Sequence, residues 1–265
     1  MGEKLLIGRY IPYDSFVHDL DARSKLLVTI LYIGLLFLAN NWIGYAVLVL
    51  LALLGIHLSK IPMTYFLKGI RPMIWLITFT AALQIFFTPA ANPLFTFGLI
   101  SVTEAGIARG VLIFMRFVLI IVISTLLTLT TEALEIADAI EFYLQPLNKV
   151  NFPVAETTMM LSISLRFVPT MVDEADVIMN AQRSRGVSFD EGTIVDRIKS
   201  FIPVLIPLFI SSYDRAPQLA TAMEARAYQG GEHRTKYRQL TWHMADSLVV
   251  AIILVLYGLV YLLRS

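Results

Sequence analysis

Long apolar runs without a charged side chain alternate with polar stretches along this chain and predict helices that cross a membrane. Four segments contain no Asp, Glu, Lys or Arg, namely residues 26–59, 72–103, 117–131 and 247–263. A bilayer requires about 20 apolar residues per helix, so these segments accommodate five predicted spans. We place the spans at residues 25–39, 42–58, 73–87, 106–130 and 247–263. The pattern therefore predicts an all-α integral membrane protein.

Basic residues between the predicted spans indicate the side of the membrane on which each connection lies, because positive charges favour the cytoplasm. Residues 60–71 are basic, whereas residues 88–108 contain no Lys or Arg. Lys4, Arg9, Arg23 and Lys25 precede or open the first span. We therefore predict a cytoplasmic N-terminus and an outward C-terminus. The predicted regions are residues 1–131 with four spans, 132–246 in the cytoplasm or inner interface, and 247–265 as the last transmembrane helix.

Residues 132–246 hold two further apolar segments, at 154–170 and 201–212, that we do not count as spans. The first contains Arg166, and basic residues precede both. We predict long amphipathic helices that lie along the inner leaflet, with charged distal halves facing the cytosol. A re-entrant pair is the alternative. Pro169 and Pro217 predict a kink in each helix. Residues 132–143 predict a short amphipathic helix with an acidic face.

One short motif occurs twice in this polar region, with an offset of 41 residues. The copies at residues 170–186 and 211–230 place Asp173 on Asp214 and Arg185 on Arg226. Each copy has an apolar stripe at helical spacing, and its arginine continues that face in the last helical turn. The stripes are Met171, Ala175, Ile178 and Gln182, and Tyr213, Ala216, Leu219 and Met223. Gly186 and the pair Gly230–Gly231 are expected to end the two helices.

A terminal arginine has an ordinary explanation, since it stabilises the negative end of a helix dipole by roughly 0.3–1 kcal/mol. Capping requires neither a shared stripe nor small residues on both sides of the arginine. The flanking residues are Ser184, Gly186, Ala225 and Ala227. Small flanks admit a partner's backbone, and a guanidinium binds carboxylates or carbonyls in a planar fork. The duplication therefore favours two equivalent docking tips for two equivalent partner sites.

The composition of the chain excludes several classes of protein function. The chain has 265 residues, of which 57% are hydrophobic and 15% charged, and its net charge of +1 argues neither for nucleic acid nor for an acidic substrate. The chain contains no cysteine, which excludes disulfides and thiol catalysis. No P-loop or H-E-x-x-H motif occurs, and the four histidines are scattered. We expect no cofactor, no metal site and no catalytic residue, and the N-terminus does not have the pattern of a cleavable signal peptide.

Two arginines in the fourth predicted span are exceptions to its apolar character. Arg109 is expected to reach the outer interface. Arg116 lies deeper and is expected to face protein, either in a structural pairing, for example with Gln84 or a backbone carbonyl, or in a functional contact. Gly106 and Gly110 have the spacing that permits a close helix approach.

The chain resembles the transmembrane T component (EcfT/CbiQ-like) of energy-coupling factor (ECF) transporters, which take up vitamins and transition metals in prokaryotes. The resemblance rests on residues 8–27, GRYIPYDSFVHDLDARSKLL, on Ser184-Arg185-Gly186 and on Ala225-Arg226-Ala227. The opening resembles the family pattern Ser-x-x-His-x-Leu-Asp-Pro-Arg-x-Lys. The chain departs from this pattern at Ala22, where the family often has proline. It also departs at Ala227, where the absence of glycine predicts that the helix continues to Gly230.

The resemblance implies a non-catalytic coupling subunit in the plasma membrane of a prokaryote. Two long coupling helices would cross near the inner leaflet, and their arginine motifs would bind a pair of ABC-type ATPases, expected to be a heterodimer. The membrane part would hold a small membrane-embedded S component that binds the substrate, and ATP-driven closure would tip it. Asp173 and Asp214 would either steady the crossing helices or remain solvated.

Two alternatives stay open at this point. Within the family, the chain is either a shared subunit or one dedicated to cobalt, nickel or biotin uptake. Outside the family, an intramembrane transferase would require a metal-binding aspartate cluster. The near match for such a cluster is Asp173-Glu174-x-Asp176, which has no second copy.

Overall fold

The computed structural model describes residues 10–88, 93–97, 100–150, 152–228 and 240–262. Within these residues the chain forms ten α-helices, one 3-10 segment (Gln145–Val150) and one antiparallel pair of strands. The first six helices are α1 (Phe16–Asp19), α2 (Ala22–Leu38), α3 (Trp42–Ser59), α4 (Met63–Ile70), α5 (Ile74–Phe87) and α6 (Glu104–Thr130). The others are α7 (Ala133–Leu144), α8 (Val154–Ser184), α9 (Ile194–Glu224) and α10 (Met244–Leu262). Strands β1 (Pro93–Phe97) and β2 (Ile100–Thr103) lie between α5 and α6.

The predicted spans correspond to helices α2, α3, α5, α6 and α10. Among the described residues, α3, α6 and the Met244–Tyr261 part of α10 are long and apolar enough to cross a membrane. Helices α4 and α5 give a fourth span if the pair, bent by 62°, is counted as one. Helix α2 is shorter, with 17 residues. The all-helical membrane class is therefore confirmed, while the count of five spans stays a prediction. Lys4 and Arg9, which entered the orientation argument, lie outside the described residues.

The chain divides into two compact units. The first, here called the membrane unit, comprises Met1–Ile140 and Leu240–Ser265, and the second, the paired-helix unit, comprises Glu141–Gln239. The predicted acidic helix at residues 132–143 is present as α7, and the boundary between the units falls within it.

Helices α2, α3, α6 and α10 enclose the core of the membrane unit. Its fully buried members include Tyr32, Leu36, Leu48 and Ile253. The Tyr32 hydroxyl donates a hydrogen bond to the Leu48 carbonyl over 2.8 Å, so this polar atom is satisfied inside an apolar interior. The core therefore joins the first helices of the chain to the last one.

Helices α5 and α6 approach closely because α6 has glycines at two successive positions on the contact face. A Cβ atom at Gly106 would lie 2.8 Å from the Ile85 carbonyl oxygen, and one at Gly110 would lie 2.5 Å from Ile85 Cγ1. The predicted close approach at this glycine pair is confirmed. The Thr103 hydroxyl accepts from the Gly106 N–H over 3.0 Å and caps the start of α6.

Arg116 faces protein, as predicted. Its Nε donates to the Tyr45 hydroxyl over 2.8 Å, and Nη2 lies 3.5 Å from the Ala39 carbonyl oxygen. The Tyr45 hydroxyl donates in turn to the Leu36 carbonyl over 3.2 Å. Of the two pairings considered, the backbone carbonyl is present, and the Tyr45 hydroxyl takes the place of Gln84. Arg116 thus stabilises the carbonyl end of α2, where backbone acceptors lack intrahelical partners. Arg109 is exposed.

Candidate functional site

The duplicated motif lies on α8 and α9, which are continuous helices of 31 residues each. Pro169 lies within α8 and Pro217 within α9. Helix α9 begins with a capping box, in which the Thr193 hydroxyl accepts from the Asp196 N–H and the Asp196 carboxylate accepts from the Thr193 N–H. The Thr193 hydroxyl also donates to the Asp196 carboxylate over 2.6 Å. This hydrogen bond and the one from the Thr193 N–H lower the pKa of Asp196 below its ordinary value.

Helices α8 and α9 form an antiparallel pair. Near the connecting loop, Gln182 Nε2 donates to the Pro203 carbonyl over 3.4 Å. Farther from the loop on both helices, the Ser212 hydroxyl lies 3.2 Å from Met171 Sδ. The Arg215 guanidinium binds the Glu174 carboxylate there at 2.6 Å. Contacts that recede from the loop along both helices require opposite helix directions, so the chain forms a helical hairpin.

The loop between α8 and α9 is anchored by an aromatic residue. Phe189 is buried, and its ring lies 5.4 Å from the ring of Phe201 on α9. The Arg183 guanidinium lies 5.6 Å from the centre of the Phe189 ring. A cation against an aromatic face gives a favourable contact. The loop that follows Arg185 is therefore held against the start of α9.

The two arginine motifs have the same backbone geometry. In the first, the Gly186 N–H donates to the Arg183 carbonyl and the Val187 N–H donates to the Gln182 carbonyl, at 3.0 and 3.1 Å. In the second, Ala227 and Tyr228 donate to the carbonyls of Glu224 and Met223, at 2.9 and 3.1 Å. Both sets are the paired hydrogen bonds of a Schellman ending, in which the residue after the arginine is left-handed.

The end of the second helix differs from the prediction. Helix α9 ends at Glu224, and Ala227 has φ 56, so the helix does not continue to Gly230. Gly186 at the equivalent position has φ 90. Alanine in this region costs about 1 kcal/mol or more because its Cβ crowds the carbonyl, yet the same two hydrogen bonds form. Both arginines also lie just past the last helical residue and not within the last turn. Gly230 lies outside the described residues.

Both arginine side chains are exposed. Eleven residues separate Glu174 from Arg185, and eleven separate Arg215 from Arg226. At 1.5 Å of rise per residue, each arginine lies about 17 Å along its helix from the ion pair. Because the helices are antiparallel, the two arginines lie at opposite ends of the hairpin. The arrangement presents two separate cationic tips of one design.

The polar contact between the two helices lies one position beyond the aspartates singled out in the sequence. Asp173 and Asp214 are both exposed, whereas Glu174 and Arg215 pair across the crossing. A signal for this pair was present, because the offset of 41 places Glu174 on Arg215. Opposite charges at equivalent positions of a duplicated motif attract each other when the copies meet.

The residues of the N-terminal family pattern surround the start of α2 in the membrane unit. Asp21 caps α2 by accepting from the Arg23 N–H, and the Arg23 guanidinium binds the Asp21 carboxylate at 2.8 Å. Ala22 is the first helical residue, a position that accommodates proline well, which explains the proline in the family pattern. The Lys25 ammonium donates to the carbonyls of His18 and Thr130, at 2.8 and 3.1 Å. Burial lowers the pKa of His18.

The sequence reasoning missed Asp246, which completes this polar cluster from α10. Its side chain is fully buried and accepts from the Asp21 N–H at 2.8 Å, the Ser24 hydroxyl at 2.6 Å and the His243 N–H at 2.8 Å. Asp246 therefore ties the start of α10 to the start of α2. The sequence gives little sign of this role, because an aspartate beside an apolar run is also common at a membrane surface.

Among the described residues, no group of three or more His, Cys, Asp or Glu side chains could hold a metal ion. The polar groups at the N-terminal cluster and at the crossing bond to one another in closed pairs and networks. At the paired helices, the guanidinium groups of Arg185 and Arg226 are exposed.

The fold is that of an all-helical membrane protein that carries one helix ending with an exposed arginine twice. Residues 14–237 match the family described as cobalt transport protein, CbiQ. The chain is 52% identical over 263 residues to the energy-coupling factor transporter transmembrane protein EcfT of Lacticaseibacillus paracasei, covering 99% of this chain and 100% of the relative. It is 46% identical over 265 residues to EcfT of Bacillus subtilis, covering 100% of both chains.

The chain therefore belongs to the EcfT/CbiQ family of transmembrane components of energy-coupling factor transporters. The predicted resemblance is confirmed over the full length. The prediction of a membrane transport subunit in place of an enzyme is confirmed as well, which removes the transferase alternative.

Proposed function

We propose that this chain transmits ATP-driven motion from a pair of ABC-type ATPases to a small membrane-embedded S component that delivers a vitamin or another micronutrient. The observation that carries the proposal is the twofold occurrence of one helix ending with an exposed arginine. Two equal tips at opposite ends of one helical hairpin suit two similar partners that move relative to each other. The two ATPases are expected to be a heterodimer.

Each tip would place its arginine in an acidic or carbonyl-rich groove of one ATPase. The residues in this role are Ser184, Arg185 and Gly186 at the first tip, and Ala225, Arg226 and Ala227 at the second. The Schellman turn directs the chain away immediately after each arginine, so a partner can approach the guanidinium without meeting a continuing helix. Asp173 and Asp214 would support the coupling helices from their exposed faces.

The proposed binding is tested by co-purification of the ATPases with the Arg185→Ala/Arg226→Ala variant. Losing one partner of a desolvated charge pair costs about 2–5 kcal/mol, so the double variant should release the ATPases. Arg197→Ala, which removes an exposed arginine near the start of α9, should retain them. Unchanged ATPase binding and unchanged uptake in the double variant would contradict the proposed role.

We further propose five spans, with the N-terminus in the cytoplasm and the C-terminus outside, and with the paired-helix unit at the inner face. The chain contains no cysteine, so single cysteines report accessibility directly. A membrane-impermeant thiol reagent applied to intact cells should label Asn40→Cys, between α2 and α3, and should not label Asp190→Cys, between α8 and α9. Labelling of both, or of Asp190→Cys alone, would contradict this orientation.

The number of substrates that the transporter takes up has two candidate answers. A shared subunit would serve several S components, whereas a dedicated subunit would serve one cargo, such as the cobalt that the family description names. The S components that co-purify from native membranes distinguish these alternatives. A dedicated subunit should co-purify with one kind of S component, whereas a shared subunit should co-purify with several.

A further inference from the structure

We propose that the Glu174–Arg215 ion pair is the pivot of the helical hairpin, a positioning contact around which α8 and α9 change their crossing angle. This inference rests on the proposed function, because the angle matters only if the two tips are moved by partners. Glu174 and Arg215 act through the tips and touch no substrate.

The position of the ion pair follows the symmetry of the duplication. The Met171–Ser212 and Glu174–Arg215 contacts each join residues 41 positions apart, the same offset that separates the two motifs. In an antiparallel pair of equivalent helices, a residue meets its own counterpart only where the local twofold axis passes. The ion pair therefore lies at the centre of the pair, at equal distances from Arg185 and Arg226.

The surroundings of the ion pair leave room for rotation. A groove of about 590 Å³ lies between the helices at this level. Its lining includes Phe167, Ala175, Leu208 and Ala216. Close-packed interfaces resist changes of angle, whereas an open groove does not. Pro169 and Pro217 each lie within two residues of the contacts at the crossing, and each removes one backbone hydrogen bond from its helix.

The ion pair gives the crossing a directed contact that fixes one register, which the apolar side chains of the groove cannot do. The two side chains are partly covered, with exposures of 36% for Arg215 and 23% for Glu174. An ion pair at this degree of exposure contributes little to the free energy of folding. It still constrains how the two helices are positioned relative to each other. Its loss should therefore affect the transfer of motion more than the folding of the hairpin.

The first test compares uptake per ATP hydrolysed for the complete transporter in liposomes. Glu174→Gln and Arg215→Gln should each lower this ratio about fivefold, the factor that corresponds to a partly exposed pair. The exchanged variant Glu174→Arg/Arg215→Glu should return it to within about twofold, because opposite charges again meet at the crossing. Asp176→Asn, an exposed acidic position on α8, is the matched control and should leave the ratio unchanged.

The second test uses short bis-thiol cross-links, which the absence of native cysteine in this chain permits. A link between Met171→Cys and Ser212→Cys spans the pivot, where the distance stays constant during rotation, so uptake per ATP should persist. A link between Gln182→Cys and Pro203→Cys fixes the helices away from the pivot and should lower uptake at least about tenfold, as expected when one of two required states is excluded. The uncross-linked double variants serve as controls.

The outcomes separate the pivot from the proposed function. The pivot is wrong if the ATPases bind normally but both links stop uptake, or if neither link changes it. It is also wrong if the two glutamine variants behave as the parent. If the unmodified chain binds no ATPase, the proposed function fails first, and the pivot fails with it. Because the cross-links leave Glu174 and Arg215 in place, they decide the question even where a charge variant folds poorly.

Discussion

The two units of this chain use polar contacts in opposite ways. In the membrane unit, the Asp246 carboxylate and its partner Ser24 have no exposed surface, and three donors converge on the carboxylate. In the paired-helix unit, the ion pair at the crossing is exposed by 36% and 23% on its two sides. A buried acceptor that is removed leaves its donors without water, whereas a partly exposed pair exchanges its partner for solvent. The polar contacts of the membrane unit thus contribute to its stability, whereas the ion pair of the helical hairpin mainly sets the alignment of its two helices.

Burial of apolar side chains repeats this contrast. Among the side chains described in the paired-helix unit, four are buried, namely Val154, Thr158, Phe189 and Val204. Large apolar residues of α9 are exposed there, including Leu205 at 60% and Phe209 at 73%. Such a continuous exposed surface belongs against a partner protein or lipid. The hairpin therefore depends on its surroundings for cover. The membrane unit exposes apolar side chains as well, for example Trp75 at 80%, but it also has a buried core of its own.

The largest effect that separates the units is expected at Asp246. Asp246→Ala leaves the buried N–H of Asp21 without its acceptor and the Ser24 hydroxyl with the Asp21 carbonyl alone, and should lower the free energy of unfolding by about 3 kcal/mol. Denaturant unfolding of the purified protein measures the change. Asp176→Ala in the paired-helix unit should cost less than about 0.5 kcal/mol, since that aspartate is exposed. Equal effects of the two substitutions would contradict the conclusion that polar contacts stabilise the membrane unit more than the paired-helix unit.

A second effect in the membrane unit is steric. Gly106→Ala brings a Cβ within 2.8 Å of the Ile85 carbonyl oxygen, a backbone atom that cannot move aside alone. The added Cβ should push α5 and α6 apart and lower the free energy of unfolding by about 2 kcal/mol. A lower thermal midpoint in detergent would report this loss. Gly258→Ala in α10 is the matched control, because no atom lies within 4 Å of its added Cβ. The control should be neutral or stabilising by up to about 1 kcal/mol, and a similar loss in both variants would exclude the steric cause.

A smaller effect distinguishes the two tips of the hairpin. Ala227→Gly removes the crowding of a left-handed alanine and should stabilise the second tip by about 1 kcal/mol, while Gly186→Ala should destabilise the first by a similar amount. Hydrogen exchange of the amides at Tyr228 and Val187, which close the two turns, reports the changes separately. Slower exchange at Val187 in Gly186→Ala would contradict the expected strain.

The smallest effect is a pH dependence at the start of α9. The folded-state pKa of Asp196 is lowered by the hydrogen bonds from Thr193, so its stabilising contribution is complete above the unfolded value of about 3.9. The contribution is lost as the pH falls through the folded-state pKa. The protection factors of the first amides of α9, in which the intrinsic pH dependence of exchange is removed, should therefore fall in acid. Thr193→Ala should remove most of this dependence, and an unchanged pH profile in that variant would assign the dependence to another group.

Much of the architecture was predictable because apolar runs and repeats are local signals. The absence of charge over residues 247–263 predicts α10, and the offset of 41 indicates that the two arginine motifs are copies of each other. The glycine spacing at Gly106 and Gly110 likewise indicated the close approach to α5. In each case the physical cause acts within one helix or one pattern of spacing.

The features that escaped prediction depend on contacts between distant segments. Asp246 reaches Asp21 and Ser24 across more than 220 residues of sequence, and no local pattern indicates which carboxylate will fill that place. The ending at Ala227 was missed for another reason. Residue propensity predicted a continuing helix, but the hydrogen bonds to Glu224 and Met223 outweigh the cost of a left-handed alanine.

The shared Schellman turn has one further consequence for assembly. A symmetric dimer presents identical tips by necessity, whereas this chain carries both tips on a single polypeptide and can vary each one alone. Gly186 and Ala227 are already different within the same hydrogen-bond frame. Under the proposed function, the duplication would give one subunit for two ATPases and would leave each tip free to adapt to an unlike ATPase.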